Sequence, residues 1–195
     1  GVTWTQQQSG HPNANFRALG SPNGVDVFAI GNEGLLIRNN GTDTWSTIDL
    51  GITMPLRSIF FVNEDTGWIG TDSGIIFVTF DGGDNWADLN TDLPGIGTVA
   101  NIYFIDEGKG FVHGFNYFRI TENGGGSWTD VAGFENTPGT LYQLNDMEFV
   151  NDSVGYICGD VGLMYKTTDG GVYWSLQMTN TTESLQDLAF LSEGG

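Results

Sequence analysis

Cysteine is nearly absent: Cys158 is the only one in 195 residues. No intrachain disulfide and no cysteine-rich metal site can form, and redox chemistry leaves the compartment open. Cations are scarce as well, with 6 Lys+Arg against 24 Asp+Glu and a formal net charge of -18. Such a surface repels phosphate backbones and anionic headgroups, which argues against a nucleic-acid partner. It favours divalent cations, basic partners or neutral glycans, and it also serves plain solubility. No run of 18 apolar residues exists, so no helical membrane insertion is expected. The two histidines, His11 and His113, are isolated and form no transition-metal constellation. No signal peptide is visible at Gly1, and a start at GVTW reads as a mature, trimmed or partial product. Proline is limited to 5 residues while glycine reaches 30, which points to many tight turns between short strands.

What is present is repetition. Tryptophans stand at 4, 45, 86, 128 and 174, spaced 41, 41, 42 and 46 residues apart. Three of them close similar windows: Thr79-Phe80-Asp81-Gly82-Gly83-Asp84-Asn85-Trp86, Thr121-Glu122-Asn123-Gly124-Gly125-Gly126-Ser127-Trp128 and Thr167-Thr168-Asp169-Gly170-Gly171-Val172-Tyr173-Trp174. A weaker copy, Asn40-Gly41 leading to Trp45, lacks the initial Ser/Thr and the second glycine. Upstream of each strong window a phenylalanine is followed six residues later by a glycine: Phe61 and Gly67, Phe104 and Gly110, Phe149 and Gly155. A period in the low forties carrying four short strands is the signature of a propeller blade. Four full blades fall near 15–50, 56–92, 97–134 and 142–178, with half-blades at 1–9 and 184–195. Two halves do not complete a fifth blade, so the chain is expected to be part of a larger ring or a longer chain.

The windows have a physical logic. Asn/Asp followed by Gly tolerates the positive φ of a hairpin turn. The carboxylate and the Ser/Thr hydroxyl can hold backbone N–H groups of that turn, while the tryptophan covers it and its indole can donate to a nearby carbonyl. The motif resembles the bacterial neuraminidase repeat, or Asp box, found in sialidases, sortilin-type receptors, xyloglucan-processing glycosidases and photosystem II assembly factors. The stretches Leu56–Trp86 and Leu144–Trp174 are most similar to the repeat of the last family. The resemblance implies an all-β propeller of four-stranded antiparallel blades over the whole chain. It also implies an assembly scaffold as one reading. That family is expected to use a basic patch, and six dispersed cations cannot supply a large one.

Catalytic readings are weaker. A sialidase needs an arginine cluster, and only Arg17, Arg38, Arg57 and Arg119 exist; Arg38 and Arg119 fall on third strands, away from the axis. Phe16-Arg17-Ala18-Leu19 is superficially similar to the sialidase Phe-Arg-Ile-Pro but lacks the proline. A glycosidase needs two carboxylates flanking a cleft, and Asp146 and Asp187, each three residues before a phenylalanine, are the candidates. Asn101 and Ser58 take the same place in other blades, so these positions equally suit a wet channel or bonds to neighbouring backbone. Asp65, Asp106 and Asp152 lie in oxygen-rich loops that could hold calcium, without the EF-hand spacing. Asn40, Asn151 and Asn180 stand in sequons that matter only in a eukaryotic secretory setting. Asp81, Asn123 and Asp169 recur once per blade, as turn residues do and catalytic residues do not. The sequence therefore favours a non-catalytic module that binds protein or glycan through loops on one face, extracellular or at the cell surface, with periplasm or lumen as alternatives. No cofactor other than calcium is implied.

Overall fold

The computed structural model describes residues 3–190 except 43, 90–96, 116, 133 and 135–142. The first blade holds β1 (Phe16–Gly20), β2 (Asp26–Gly31), β3 (Leu36–Asn40) and β4 (Ser46–Ile48). The second holds β5 (Leu56–Phe61), β6 (Gly67–Thr71), β7 (Ile76–Thr79) and β8 (Ala87–Asp88). The third holds β9 (Asn101–Phe104), β10 (Gly110–Gly114), β11 (Tyr117–Thr121) and β12 (Thr129–Asp130). The fourth holds β13 (Leu144–Phe149), β14 (Gly155–Gly159), β15 (Met164–Thr167) and β16 (Ser175–Leu176). Each sheet is an antiparallel meander in chain order. The first strands β1, β5, β9 and β13 pack successively on one another, so they are the inner strands. Four such meanders fanned about their inner strands form a β-propeller.

Alternation along the strands decides which neighbour each side chain meets. In β6, Trp68 faces the third blade while Ile69 faces the first; in β10, Phe111 faces the fourth blade while Val112 faces the second. The buried residues accordingly fall into three clusters among the described residues, one per pair of adjacent blades. The phenylalanine–glycine spacing is a cross-strand pair: Phe61 opposes Gly67, Phe104 opposes Gly110 and Phe149 opposes Gly155. Each ring lies over its glycine. A Cβ on Gly67 or Gly110 would come within 2.4 Å of the ring, and one on Gly155 within 2.7 Å. The first turn of each blade is capped in one way. Asn23, Asn63, Asp106 and Asn151 each accept two backbone N–H bonds through one Oδ1.

The hairpins between third and fourth strands form a side-chain clasp. Thr79 Oγ1 donates to Asp81 Oδ1 at 2.8 Å and accepts Gly83 N at 2.9 Å, and Asp81 Oδ1 also accepts Asn85 N. Thr121 with Asn123, and Thr167 with Asp169, repeat the arrangement. The first glycine bonds the first turn of its own blade: Gly82 N to Asp65 O, Gly124 N to Gly108 O, Gly170 N to Ser153 O. The second glycine reaches the preceding blade. Gly83 lies against Phe28, Gly125 against Leu89 and Gly171 against Phe111, while Trp68 Nε1 donates to Gly124 O at 3.0 Å. Thr79→Val leaves the buried Gly83 N–H without its acceptor, and equilibrium urea unfolding is expected to show a loss of about 2 kcal/mol.

Three features differ from the sequence reading. In the first blade the clasp belongs to Asn39, whose Oδ1 accepts Gly41 N and whose Nδ2 donates to Thr42 O and Thr44 O; Asn40 only accepts the Thr42 hydroxyl. The buried polar position at the strand end, Asn39, is one residue later than Arg38, which the tryptophan alignment sets against Thr79. The indoles also diverge. Trp174 Nε1 donates to Gly171 O, but Trp86 and Trp128 find no partner for theirs among the described residues. Their rings are turned edge-on to Phe28, Phe61 and Phe104 instead. Finally, residues 3–9 and 184–190, within the stretches read as half-blades 1–9 and 184–195, belong to no ladder among the described residues. Residues 1, 2 and 191–195 lie outside the described set.

Candidate functional site

The acids singled out from sequence separate once placed. Asp81 and Asp169 are occupied by their own turns, and Asn123 makes the same bonds with a neutral amide, so charge is not what the position requires. Hydrogen bonds from the Asn85 side chain and backbone hold Asp81 below the ordinary carboxylate range, and the Tyr173 amide does so for Asp169. Asp65, Asp106 and Asp152 sit in the first turns of three different blades. Asp106 is spent on the Gly108 and Lys109 amides, and Asp65 engages Gly82 only through its carbonyl. No group of three His, Cys, Asp or Glu side chains arranged to hold a metal occurs among the described residues.

Ser58, Asn101, Asp146 and Asp187 form a belt along the inner strands. Ser58 Oγ donates to Val99 O, and Asn101 Nδ2 donates to Asp146 Oδ1 at 2.8 Å. Leu188 N then donates to both Asp146 Oδ2 at 2.9 Å and Asp187 Oδ1 at 3.1 Å. The links from Ser58, Asn101 and Asp146 each cross to another segment, while the Leu188–Asp187 bond joins neighbouring residues. Two carboxyls closed on one N–H leave no room for a sugar between them, so this pair does not form the flanking acids of a glycosidase. Burial, reinforced by Asp187, pushes the Asp146 carboxyl up to about 6.

A different site emerges where the inner strands begin. The ladder registers slip between Phe16/Ala18, Leu56/Ser58 and Leu144/Asp146, leaving Arg17, Arg57 and Asn145 as bulge residues. A bulge re-aims its side chain. Here each reaches the residue just after the second strand of its own blade. Arg17 Nε donates to Asn32 Oδ1 at 2.8 Å, Arg57 grips both oxygens of Asp72, and Asn145 Nδ2 donates to Asp160 Oδ1 at 3.2 Å. The Arg57 guanidinium, aided by the Thr98 hydroxyl, holds Asp72 below the ordinary carboxylate range, and the charge of Arg17 contributes. In the third blade the corresponding residues are Ala100 and Phe115, which cannot make such a bond. The result is an open cleft of ≈ 410 Å³ lined by Arg17, Arg57, Thr98, Ala100, Phe115 and Gln143. Phe115 is 59% exposed at its floor.

Two of the six cations, Arg17 and Arg57, line one cleft, with Arg57 paired to Asp72; this is not the large basic patch that the sequence argues against. Arg17 and Arg57 are 40 positions apart in the chain but stand on adjacent inner strands. Elsewhere Arg38 pairs with Asp26, Arg119 with Asp130 and Lys109 with Glu122. Arg57 is taken up by Asp72, while Arg17 spends its Nε on the neutral Asn32 amide beside the exposed Phe115 ring. The convergence depends on bulges and on a gap in one blade, and neither leaves a residue motif.

An all-β propeller with a cationic cleft at the inner rim belongs to the class of repeat propellers that present a binding surface on a rigid scaffold. Comparison with known proteins then makes the family specific: the family model "Photosynthesis system II assembly factor YCF48" matches residues 37–195, and the chain belongs to that family. It is 27% identical over 175 residues to the "Photosystem II assembly lipoprotein Ycf48" of Synechococcus sp. (strain CC9902), covering 87% of this chain and 52% of that protein. The chain thus spans about half the length of the curated relatives it matches. Among solved structures, "YCF48 bound to D1 peptide" superposes with a TM-score of 0.57 at 14% identity, covering 96% of this chain and 90% of the other. The GH74 enzyme of Niastella koreensis superposes with a TM-score of 0.67 at 12% identity, covering 83% and 30%. At such identities these likenesses show the fold alone, so the glycosidase likeness carries no activity to this chain.

Proposed function

We propose that this chain is a non-catalytic assembly scaffold that holds a peptide of a partner protein at the inner-rim cleft. The observation that carries the reading is the convergence of Arg17 and Arg57 beside Phe115 on a protein of net charge -18. Arg57 is paired with Asp72 while Arg17 bonds only a neutral amide, so the Arg17 guanidinium beside that ion pair is what draws an anion against so acidic a background. The ligand is a peptide carboxylate, terminal or side-chain, whose neighbouring apolar residue lies on Phe115 and Ala100. The names of the curated relatives support an assembly role, and the solved complex of a family member with a peptide supports a peptide ligand. The word lipoprotein in those names supports action on the non-cytoplasmic side of a membrane, in periplasm or lumen, rather than free secretion. Protein recognition takes precedence over glycan recognition, because the cleft offers charge and one aromatic ring rather than a stacked platform.

The test is binding of fluorescent peptides ending in an apolar residue, with a free or an amidated terminus, followed by anisotropy. Arg17→Ala and Arg57→Ala are each expected to weaken the free-acid peptide by about tenfold, a difference near 1.4 kcal/mol. Phe115→Ala is expected to weaken both forms. Equal affinity of the three variants and the parent for the free-acid peptide would remove the cleft as the site.

A further inference from the structure

The residue that follows the second strand is held in one way in three blades. Asn32 N donates to Asn15 O at 3.2 Å, Asp72 N to Pro55 O at 3.0 Å and Asp160 N to Gln143 O at 2.9 Å. The backbone fixes the position and only the side chain varies: a carboxamide in the first blade, a carboxylate in the second and fourth. In the first two blades that side chain meets the same donor, the Nε of the bulge arginine. Arg17 with Asn32 and Arg57 with Asp72 are therefore two copies of one arrangement that differ by a single charge.

The two copies present opposite faces to the cleft. Asp72 takes Arg57 through both oxygens, with Nη2 donating to Oδ2 at 2.9 Å, and the Thr98 hydroxyl donates to Asp72 Oδ1 at 3.1 Å. This is the forked geometry in which a guanidinium receives a carboxylate ligand, so Asp72 sits on Arg57 as a ligand would. The bonds from Arg57 and Thr98 hold its carboxyl below the ordinary range, and it stays charged at neutral pH. Asn32 engages Arg17 through Nε and neutralises none of its charge. Arg17 and Arg57 less Asp72 leave the cleft one positive charge.

We propose that Asp72 is a resident competitor on Arg57 and the residue that sets the selectivity of the cleft: it leaves Arg17 as the open cation, so the cleft takes a ligand with one carboxylate and turns away a ligand with two. The proposal rests on the reading of the cleft as a carboxylate site. A second carboxylate reaching towards Arg57 meets the Asp72 charge there, and that repulsion is the selective element. Loss of Arg57 leaves Asp72 bare beside the ligand, which is how a paired arginine still matters for binding.

Exchanging the two partners tests it, by anisotropy on the intact chain. The probes are two fluorescent free-acid peptides ending in the same apolar residue, with Asn next to last in one and Asp in the other. The parent is expected to bind the Asn peptide about threefold more tightly than the Asp peptide. Asp72→Asn gives the second blade the partner of the first and still offers Arg57 and Thr98 an acceptor. It is expected to tighten the Asp peptide by about tenfold and so reverse the preference. Asn32→Asp gives the first blade the partner of the second and is expected to weaken both peptides by about tenfold. Asp160→Asn makes the same change of net charge in the fourth blade, and is expected to shift neither peptide by more than about twofold. No gain for the Asp peptide in Asp72→Asn, or an equal gain in Asp160→Asn, would overturn the proposal. If Arg17→Ala weakens the parent while Asp72→Asn changes nothing, the cleft stands and the competitor falls. Binding indifferent to Arg17→Ala would remove the cleft reading and the competitor with it.

Discussion

Acidification from pH 6.5 towards pH 3 is expected to cost the folded state about 4 to 5 kcal/mol through one residue, His113, since each unit of pKa displacement is worth about 1.4 kcal/mol. His113 on β10 is fully buried, neither ring nitrogen has a partner among the described residues, and burial pushes its pKa from 6.5 down to about 3. An imidazole that titrates lower folded than unfolded must stay neutral to fold. The penalty starts near pH 6.5, where the unfolded chain begins to take up its proton, and grows until the folded form is also protonated near pH 3. Asp146 acts in the opposite sense. Its raised pKa adds stability as pH falls through about 6, so the two groups partly offset each other in the parent. The clean measurement is the difference between the parent and His113→Leu, in which the carboxyl effect cancels. Urea unfolding at pH 5 is expected to find the variant ahead of the parent by about 2 kcal/mol relative to their difference at pH 8. An unchanged difference at the two pH values would show that His113 is solvated or partnered.

The second large effect lies in the hairpins. Gly171 has φ 83, and a Cβ there would sit 2.2 Å from Phe111 Cζ. Gly171→Ala combines a left-handed conformation, unfavourable to any Cβ by about 1 to 2 kcal/mol, with a steric push into a filled core of about 1 to 3 kcal/mol. A total loss of about 4 kcal/mol in chemical unfolding is expected. Gly24 separates the two contributions, because it has φ 75 and a Cβ there would meet nothing within 4 Å. Gly24→Ala should show only the backbone part, about 1 to 2 kcal/mol. Equal losses at the two glycines would mean that the contact with the preceding blade contributes nothing.

Residues that repeat are legible in the sequence alone. Phe61 with Gly67, Phe104 with Gly110 and Phe149 with Gly155 announce themselves by spacing, because a cross-strand pair in a hairpin with a short turn has a fixed separation along the chain. The Thr, Asp/Asn and Gly-Gly windows do likewise, since their bonds are local. What stays hidden is what depends on two blades at once. Nothing in the sequence near Trp68 says that its indole will reach Gly124, 56 positions later. Arg17 and Arg57 look dispersed until two bulges turn them to one rim, and Phe115 becomes a floor only because Ala100 beside it has no polar group to offer. Asp146 and Asp187 are recognisable as equivalents, but one blade period apart they read as a pair flanking space rather than as two acceptors on one amide.

The second glycine of each strong hairpin touches an apolar side chain of the blade before it, and the contact never runs the other way. Neighbours are thus joined like tongue and groove, with a sense of direction. The hairpin of the first blade, where Gly41 is followed by Thr42, has no second glycine and so no tongue of that shape. Cutting and re-joining the blades in a new order is therefore not neutral. Setting the first blade behind one that carries Leu89 or Phe111 would press a side chain where the protein now has bare backbone, whereas exchanging the third and fourth hairpins would keep every joint filled. The succession of blades is written into the seams between them, independently of the loops that bind.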